Sequence, residues 1–148
     1  MGCNLSKNNL STAVNGGDPQ NDKKVLFLGI DNAGKSTLLF QMRDKSFKET
    51  VPTVGLNVEQ IKYRDHNFTL WDVSGQATRL WKHYFDKIHA VIYVVDSSDT
   101  ERLAKSKSYL HRVLADKDLK DAPMLIMANK QDLESAIKVD ELFERLEL

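Results

Sequence analysis

The chain reads as an α/β protein built on a mostly parallel, doubly wound sheet with helices on both faces, and three observations predict it. Short, wholly apolar runs recur at Val25-Leu26-Phe27-Leu28, Ala90-Val91-Ile92-Tyr93-Val94-Val95 and Met124-Leu125-Ile126-Met127, as strands buried on both faces require. Between these runs lie segments whose apolar residues fall at helical spacing, so strands alternate with helices. A glycine-rich loop joins the first run to the first helix. At 148 residues there is room for one core and no second domain.

The first segment differs in kind from the rest. Asn, Ser, Gly and Lys dominate it, and it runs into Gly16-Gly17-Asp18-Pro19, the composition of a flexible arm. Its start, Met1-Gly2-Cys3-Asn4-Leu5-Ser6, fits M-G-x-x-x-S, the pattern for N-myristoylation of Gly2. Cys3 is the only cysteine, so no disulfide forms within the chain. One myristoyl chain holds a membrane only marginally, which makes the neighbouring Cys3 the site expected to carry palmitate. Basic residues there are few, and Leu5, Leu10, Ala13 and Val14 form no apolar face. The expected division is an acylated arm over residues 1–22 and a globular domain over residues 23–148.

The domain begins with the strand at Val25–Leu28. A helix follows from Ser36 to Lys45, with Leu38, Leu39 and Met42 toward the core. Phe68-Thr69-Leu70 is the next predicted strand, and no element is assigned to the stretch between Val54 and Phe68. Ala90–Val95 is a strand; Leu103, Leu110, Val113 and Leu114 mark a helix; Met124–Met127 is a strand. Val139, Leu142, Phe143 and Leu146 mark the last helix at i, i+3, i+4, i+7.

Two motifs carry the chemistry. Gly29-Ile30-Asp31-Asn32-Ala33-Gly34-Lys35-Ser36 is G-x-x-x-x-G-K-S, whose backbone N–H groups curl around a phosphate chain. Lys35 is placed to neutralise β/γ oxygens, and the Ser36 hydroxyl to take a position on Mg²⁺. The helix that follows adds N–H donors and its positive dipole end. Asn129-Lys130-Gln131-Asp132 closes another apolar strand, at the end where parallel sheets gather ligands. A carboxylate at Asp132 accepts the paired N1–H and N2–H₂ donors of guanine; adenine would leave it unsatisfied. Asn129 is expected to tie the base-side loops together, and the Lys130 stem to lie over the base. Between the motifs, Trp71-Asp72-Val73-Ser74-Gly75-Gln76 offers Asp72 to Mg²⁺ through water, the Gly75 N–H to a γ-phosphate, and Gln76 to an attacking water. Thr53, in Val51-Pro52-Thr53, would complete the metal shell.

In these motifs, and in Val51-Pro52-Thr53-Val54-Gly55, Ala128–Leu133 and Trp81-Lys82-His83-Tyr84-Phe85, the chain from about Lys23 to Leu148 resembles the ADP-ribosylation-factor-like branch of the small GTPases. The resemblance implies a P-loop NTPase fold. It implies a switch that cycles between GTP and GDP with Mg²⁺, hydrolyses GTP slowly, and recruits effector proteins to membranes in vesicle traffic. An exchange factor and an activating protein would act in trans, and the chain would be cytoplasmic and peripheral on Golgi or other endomembranes. Leu56, Trp71 and Tyr84 fall on the family's effector-contact surface. Four departures stand out. Ser74 replaces a glycine, Leu56 replaces a phenylalanine, and the stretch from Ala77 to Leu80 is two residues shorter than usual. The chain ends at Leu148, before the family's last strand and helix. The apolar strand positions Leu26, Leu28, Ile92 and Val94 are therefore expected to lie open.

Charge excludes some alternatives. Lys+Arg and Asp+Glu number 21 each, so no basic face points to nucleic acid. The four histidines, at 66, 83, 89 and 111, have no metal-ligand spacing and read as surface residues. An ATPase or phosphotransferase on the same loop is disfavoured by Asp132. A hydrolysis-deficient nucleotide-binding module is the remaining alternative to an active GTPase.

Overall fold

Five strands pair in the order β2-β3-β1-β4-β5, and the computed structural model describes residues 22–45, 50 and 53–148 of the chain. The elements run β1 (Asp22–Leu28), α1 (Lys35–Asp44), β2 (Leu56–Tyr63), β3 (His66–Val73), a 3₁₀ segment (Thr78–Tyr84), β4 (Ala90–Asp96), α2 (Leu103–Leu114), β5 (Met124–Asn129) and α3 (Val139–Leu146). β1 lies parallel to β3 and β4, and β4 parallel to β5, while β2 is antiparallel to β3. Strand order reverses at β1, and ligands of such sheets sit beyond the strand ends at the reversal.

Each face of the sheet buries its own cluster. Leu26, Leu28, Val91, Tyr93 and Val95 pack with Leu103, Leu110 and Val113 of α2, Leu142 and Leu146 of α3, and Trp81 and Phe85. Val25, Phe27, Leu70 and Val94 pack with Ala33 and with Leu39 of α1 on the other face. α2 and α3 are tied by a 2.6 Å ion pair from Lys107 to Glu147 and by His111 Nε2 at 2.7 Å from the Leu146 carbonyl. Among the described residues no helix is long and apolar enough to cross a membrane.

The expected open face is corrected by this arrangement. Leu26, Leu28 and Val94 are fully buried. Leu26 and Leu28 alternate onto the side covered by α2 and α3, and Val94 lies beside Leu39. Only Ile92 of the four lines the apolar groove of about 570 Å³ between α1 and the edge strand β5. There Met42, Tyr63 and Leu125 are exposed at 47%, 60% and 54%. Both faces of a central parallel strand are apolar, so the pattern does not tell one face from the other. Met42, read as a core residue, belongs to the rim of this groove; Leu114, Val139 and Phe143 are likewise exposed.

The unassigned stretch is β2. It pairs with β3 over eight residues, from Leu56↔Val73 to Tyr63↔His66. Its polar, half-exposed sequence reads weakly, and the turn at Arg64 and Asp65, with Arg64 at φ 54°, lacks the glycine or asparagine that signals a hairpin. β1 also begins earlier than its apolar run, because Asp22, Lys23 and Lys24 pair with Asn67, Phe68 and Thr69.

Candidate functional site

The loops after β1, β3 and β5 open into a single cleft of about 840 Å³, a volume typical of small-molecule sites. Asp31, Asn32, Gly34, Lys35, Ser36, Thr53, Gly75, Gln76, Asn129, Lys130 and Asp132 all line it. Gly29 and the buried Ile30 and Ala33 shape the loop from beneath. The two motifs, a hundred residues apart in sequence, are thus neighbours in space.

At the phosphate end, Gly34 caps α1 at φ 97°, and a Cβ there would stand 2.3 Å from Asn129 Nδ2. Only glycine suits that conformation and that approach. Lys35, the first residue of α1, is buried, and its ammonium donates to the Gly29 and Ile30 carbonyls at 2.9 and 3.1 Å. Burial pushes its pKa down, opposed by the charges of Asp72 and Asp31. A phosphate chain would push the pKa back up, since an anion favours the ammonium.

Beside Lys35, three oxygen donors converge. Thr53 Oγ1 lies 2.8 Å from Ser36 Oγ and donates to Asp72 Oδ2 at 3.1 Å, and Ser36 Oγ also donates to that carboxylate oxygen. The other oxygen, Asp72 Oδ1, is buried without a hydrogen-bond partner among the described residues, and such a group costs free energy unless something satisfies it. One carboxylate and two hydroxyls are hard oxygen donors of the kind Mg²⁺ shares with phosphates. The residues present fit the ion.

The loop after β3 is gathered around Ser74. Its N–H donates to the Gly55 carbonyl at 2.9 Å; its own carbonyl accepts the Ala77 N–H at 3.3 Å and Trp81 Nε1 at 3.0 Å. Its hydroxyl accepts the Gln76 N–H at 3.3 Å, a bond that a glycine at this position could not make. Trp81 is 3% exposed and meets the rings of Tyr93 and Tyr109, so the far end of the loop is anchored in the core. Gly75 lies so close to the phosphate loop that a Cβ would fall 2.2 Å from the Asp31 nitrogen. Gln76 is exposed at the cleft rim.

At the base end, Asn129 Nδ2 donates to the Ala33 carbonyl at 2.8 Å. The bond joins the base-side loop to the phosphate loop, whereas the sequence leads one to expect Asn129 to tie the base-side loops to one another. Lys130, at φ 63°, is held by a 2.7 Å ion pair with Asp96 Oδ2. Burial alone would raise the Asp96 carboxyl; Lys130 and two donors from Ser98 outweigh it and hold the pKa below 3.8. Asp132 stands exposed. The sequence reading missed Asp96, Asp99 and Arg102, which brace both ends of the cleft from behind. Their only signal was their place just after an apolar strand.

Leu56, Trp71 and Tyr84 are each half-buried against the core cluster that includes residues of α2 and α3. The rings of Trp71 and Tyr84 are 6.2 Å apart, and the Lys24 ammonium sits 4.0 Å from the Trp71 ring centre. Gly2, Cys3 and the first part of Val51-Pro52-Thr53 lie outside the described residues.

Two comparisons bear on this geometry. The profile of the Arf, or ADP-ribosylation factor, family matches residues 10–148. The fold is similar to that of the Arl6 BBS3 small GTPase from Trypanosoma brucei, solved with the bound nucleotide analogue GppNp. The TM-score is 0.78 and the identity 36%, over 85% of this chain and 77% of that one. The chain belongs to the ADP-ribosylation factor family of small GTPases.

Proposed function

We propose that the cleft binds GTP and GDP with Mg²⁺ and that the chain works as a slow, membrane-associated GTPase switch. The observation that carries this reading is the 2.8 Å bond from Asn129 to the Ala33 carbonyl. It fastens the base-reading motif to the phosphate loop, so one ligand bearing both a guanine and a phosphate chain spans them. The GppNp bound by the Trypanosoma relative supports the same ligand class.

In this reading, the phosphate-loop N–H groups and the Lys35 ammonium hold the β- and γ-phosphates. Ser36 and Thr53 would hold Mg²⁺ directly and Asp72 through water; the ion, when bound, offsets charge that builds on the phosphate oxygens. The Gly75 N–H contacts the γ-phosphate. Gln76 orients the water that attacks the γ-phosphorus in line with the departing GDP oxygen. Asp132 accepts from guanine, and the Lys130 stem covers the ring. No arginine lies between Ser46 and Val54, so that loop supplies none in cis. An arginine from an activating partner is worth roughly 10³–10⁵ in rate, and hydrolysis by this chain alone is correspondingly slow. Leu56, Trp71 and Tyr84 form the effector-facing patch, and acyl groups on Gly2 and Cys3 bring the loaded protein to endomembranes in vesicle traffic.

A nucleotide-binding module with little hydrolysis is the second reading. It is favoured by Ser74, whose hydroxyl holds the Gln76 backbone. Competition between GTP and ATP for the purified protein, followed by single-turnover hydrolysis, tests both readings. Preference for GTP with slow, Gln76-dependent turnover supports the switch. Preference for GTP with no turnover, even with an activating protein present, selects the module. Equal binding of ATP would overturn guanine reading by Asp132.

A further inference from the structure

The last residue of β4 and the connector from it to α2 contribute nothing to the lining of the cleft, yet they hold both ends of it. Asp96 takes the base-side Lys130. At the other end of the connector, Arg102 reaches the phosphate loop. Its Nε and Nη2 each stand 2.6 Å from Asp99 Oδ2, while Nη1 lies 3.2 Å from Asp31 Oδ1 and Nη2 donates to the Asp31 main-chain carbonyl at 3.3 Å. A second bond fixes the fork itself, because the Arg102 N–H donates to Asp99 Oδ1 at 3.2 Å. Arg102 is thus clamped by Asp99 and grips Asp31 by both side chain and backbone. On its other side Asp31 meets Gly75, whose approach leaves no room for a Cβ. Asp31 is therefore caught between Arg102 and the loop that carries Gln76.

A cradle of backbone N–H groups binds phosphate well only if its shape is held before the ligand arrives, because ordering it on binding would subtract from affinity. The planar guanidinium supplies that hold: its fixed fork reaches a carboxylate and a carbonyl at once, which a single ammonium cannot. We propose that Arg102 is a positioning residue for the phosphate loop, holding Asp31 in place and thereby slowing release of the guanine nucleotide through its phosphates. The proposal rests on the nucleotide reading of the cleft. It adds a determinant of nucleotide residence that lies outside the cleft lining.

The test uses the full chain loaded with a fluorescent GDP analogue, in wild type, Arg102→Ala, Arg102→Lys, Asp31→Asn and the Arg102→Ala/Asp31→Asn double variant. Release from Arg102→Ala should be faster by about tenfold, the scale of one partly exposed charge-assisted contact. Arg102→Lys should fall between, since lysine keeps the charge without the fork. The double variant should release no faster than the faster single one, because both changes break the same link. The preference for GDP over inosine diphosphate should stay at the wild-type ratio, since base reading by Asp132 is untouched. Unchanged release from Arg102→Ala would overturn the proposal. So would additive effects in the double variant, or a preference for GDP that collapses along with a lowered unfolding midpoint at saturating GDP, which would mark general loosening. A wild-type chain that binds no guanine nucleotide would overturn the reading of the cleft, and this proposal with it.

Discussion

At the phosphate end of the cleft, Lys35, Asp72 and Ser74 are buried at 6%, 0% and 4% exposure, and Ser36, Thr53 and Asp72 are knitted together by their own hydrogen bonds. At the base end, Asp132 is exposed, and the residues around it are steadied from behind by Ala33 and Asp96. The first region owes its geometry to folding, because buried polar groups must find partners whether or not a ligand is present. In the second, the residue assigned to read the base is in water and commits to a partner only when one arrives. A substitution at the phosphate end therefore disturbs protein and ligand together, whereas one at Asp132 changes ligand choice alone.

The largest expected effect tests the first half of that contrast. Lys35→Ala should lower GDP affinity by about a thousandfold, from two charge-assisted bonds to phosphate at about 2 kcal/mol each. It also removes the ammonium donor from the buried Gly29 carbonyl and leaves the Ile30 carbonyl with the Ala33 N–H at 3.4 Å, so the unfolding midpoint should change as well. Titration calorimetry and thermal unfolding together check this; an unchanged midpoint would mean the phosphate end is not set by folding.

Gln76 breaks the pattern, being exposed although it stands at the phosphate end. Gln76→Leu should slow hydrolysis by about 100-fold, the scale of misplacing one reacting group, and leave GDP affinity and stability near wild type. Single-turnover assays with and without an activating protein measure it. A variant as fast as wild type would remove Gln76 from the mechanism.

Asp132→Asn should weaken GTP binding by roughly 5- to 150-fold, the discrimination carried by one bidentate contact. Xanthine nucleotides should gain, and the unfolding midpoint without nucleotide should stay put. A shifted midpoint would show that the base end, too, is held by folding.

The smallest effect concerns Asp96. Its folded pKa lies below 3.8, so its carboxylate contributes stability that is present above 3.8 and is lost as pH falls through the lower folded value. Asp96→Asn should therefore destabilise the protein by about 1 kcal/mol at neutral pH, the scale of one net hydrogen bond. The difference should shrink in acid below the folded value. Chemical denaturation of both proteins at pH 7 and in acid reads the sign directly.

Much of the fold could be read from local pattern. The runs at Val25, Ala90 and Met124 became β1, β4 and β5, and the helical spacings became α1, α2 and α3, because a strand or helix buried in a core must carry apolar residues at its own period. β2 escaped notice because its stability comes from pairing with β3 rather than from its own composition. Leu26 and Leu28 were expected to lie open, and are buried, for a related reason: a strand apolar on both faces does not reveal which helix will cover which face.

The cleft divides in the same way. Glycines, Lys35, Ser36, Asp72, Gln76, Asn129 and Asp132 were recognisable because phosphate and base chemistry demand those residue types in a fixed local order. Asp96, Asp99 and Arg102 were not, because their roles are set by partners in other loops. Arg102 lies 71 residues from the Asp31 carbonyl it holds. The sequence by itself determined β1, β3, β4, β5, the three helices and the motif residues that line the cleft, all written in short stretches of neighbouring residues. Only the tertiary structure decided which face each strand buries, where the apolar groove opens, and which side chains brace the cleft from outside, since contacts between distant segments exist only once the chain has folded.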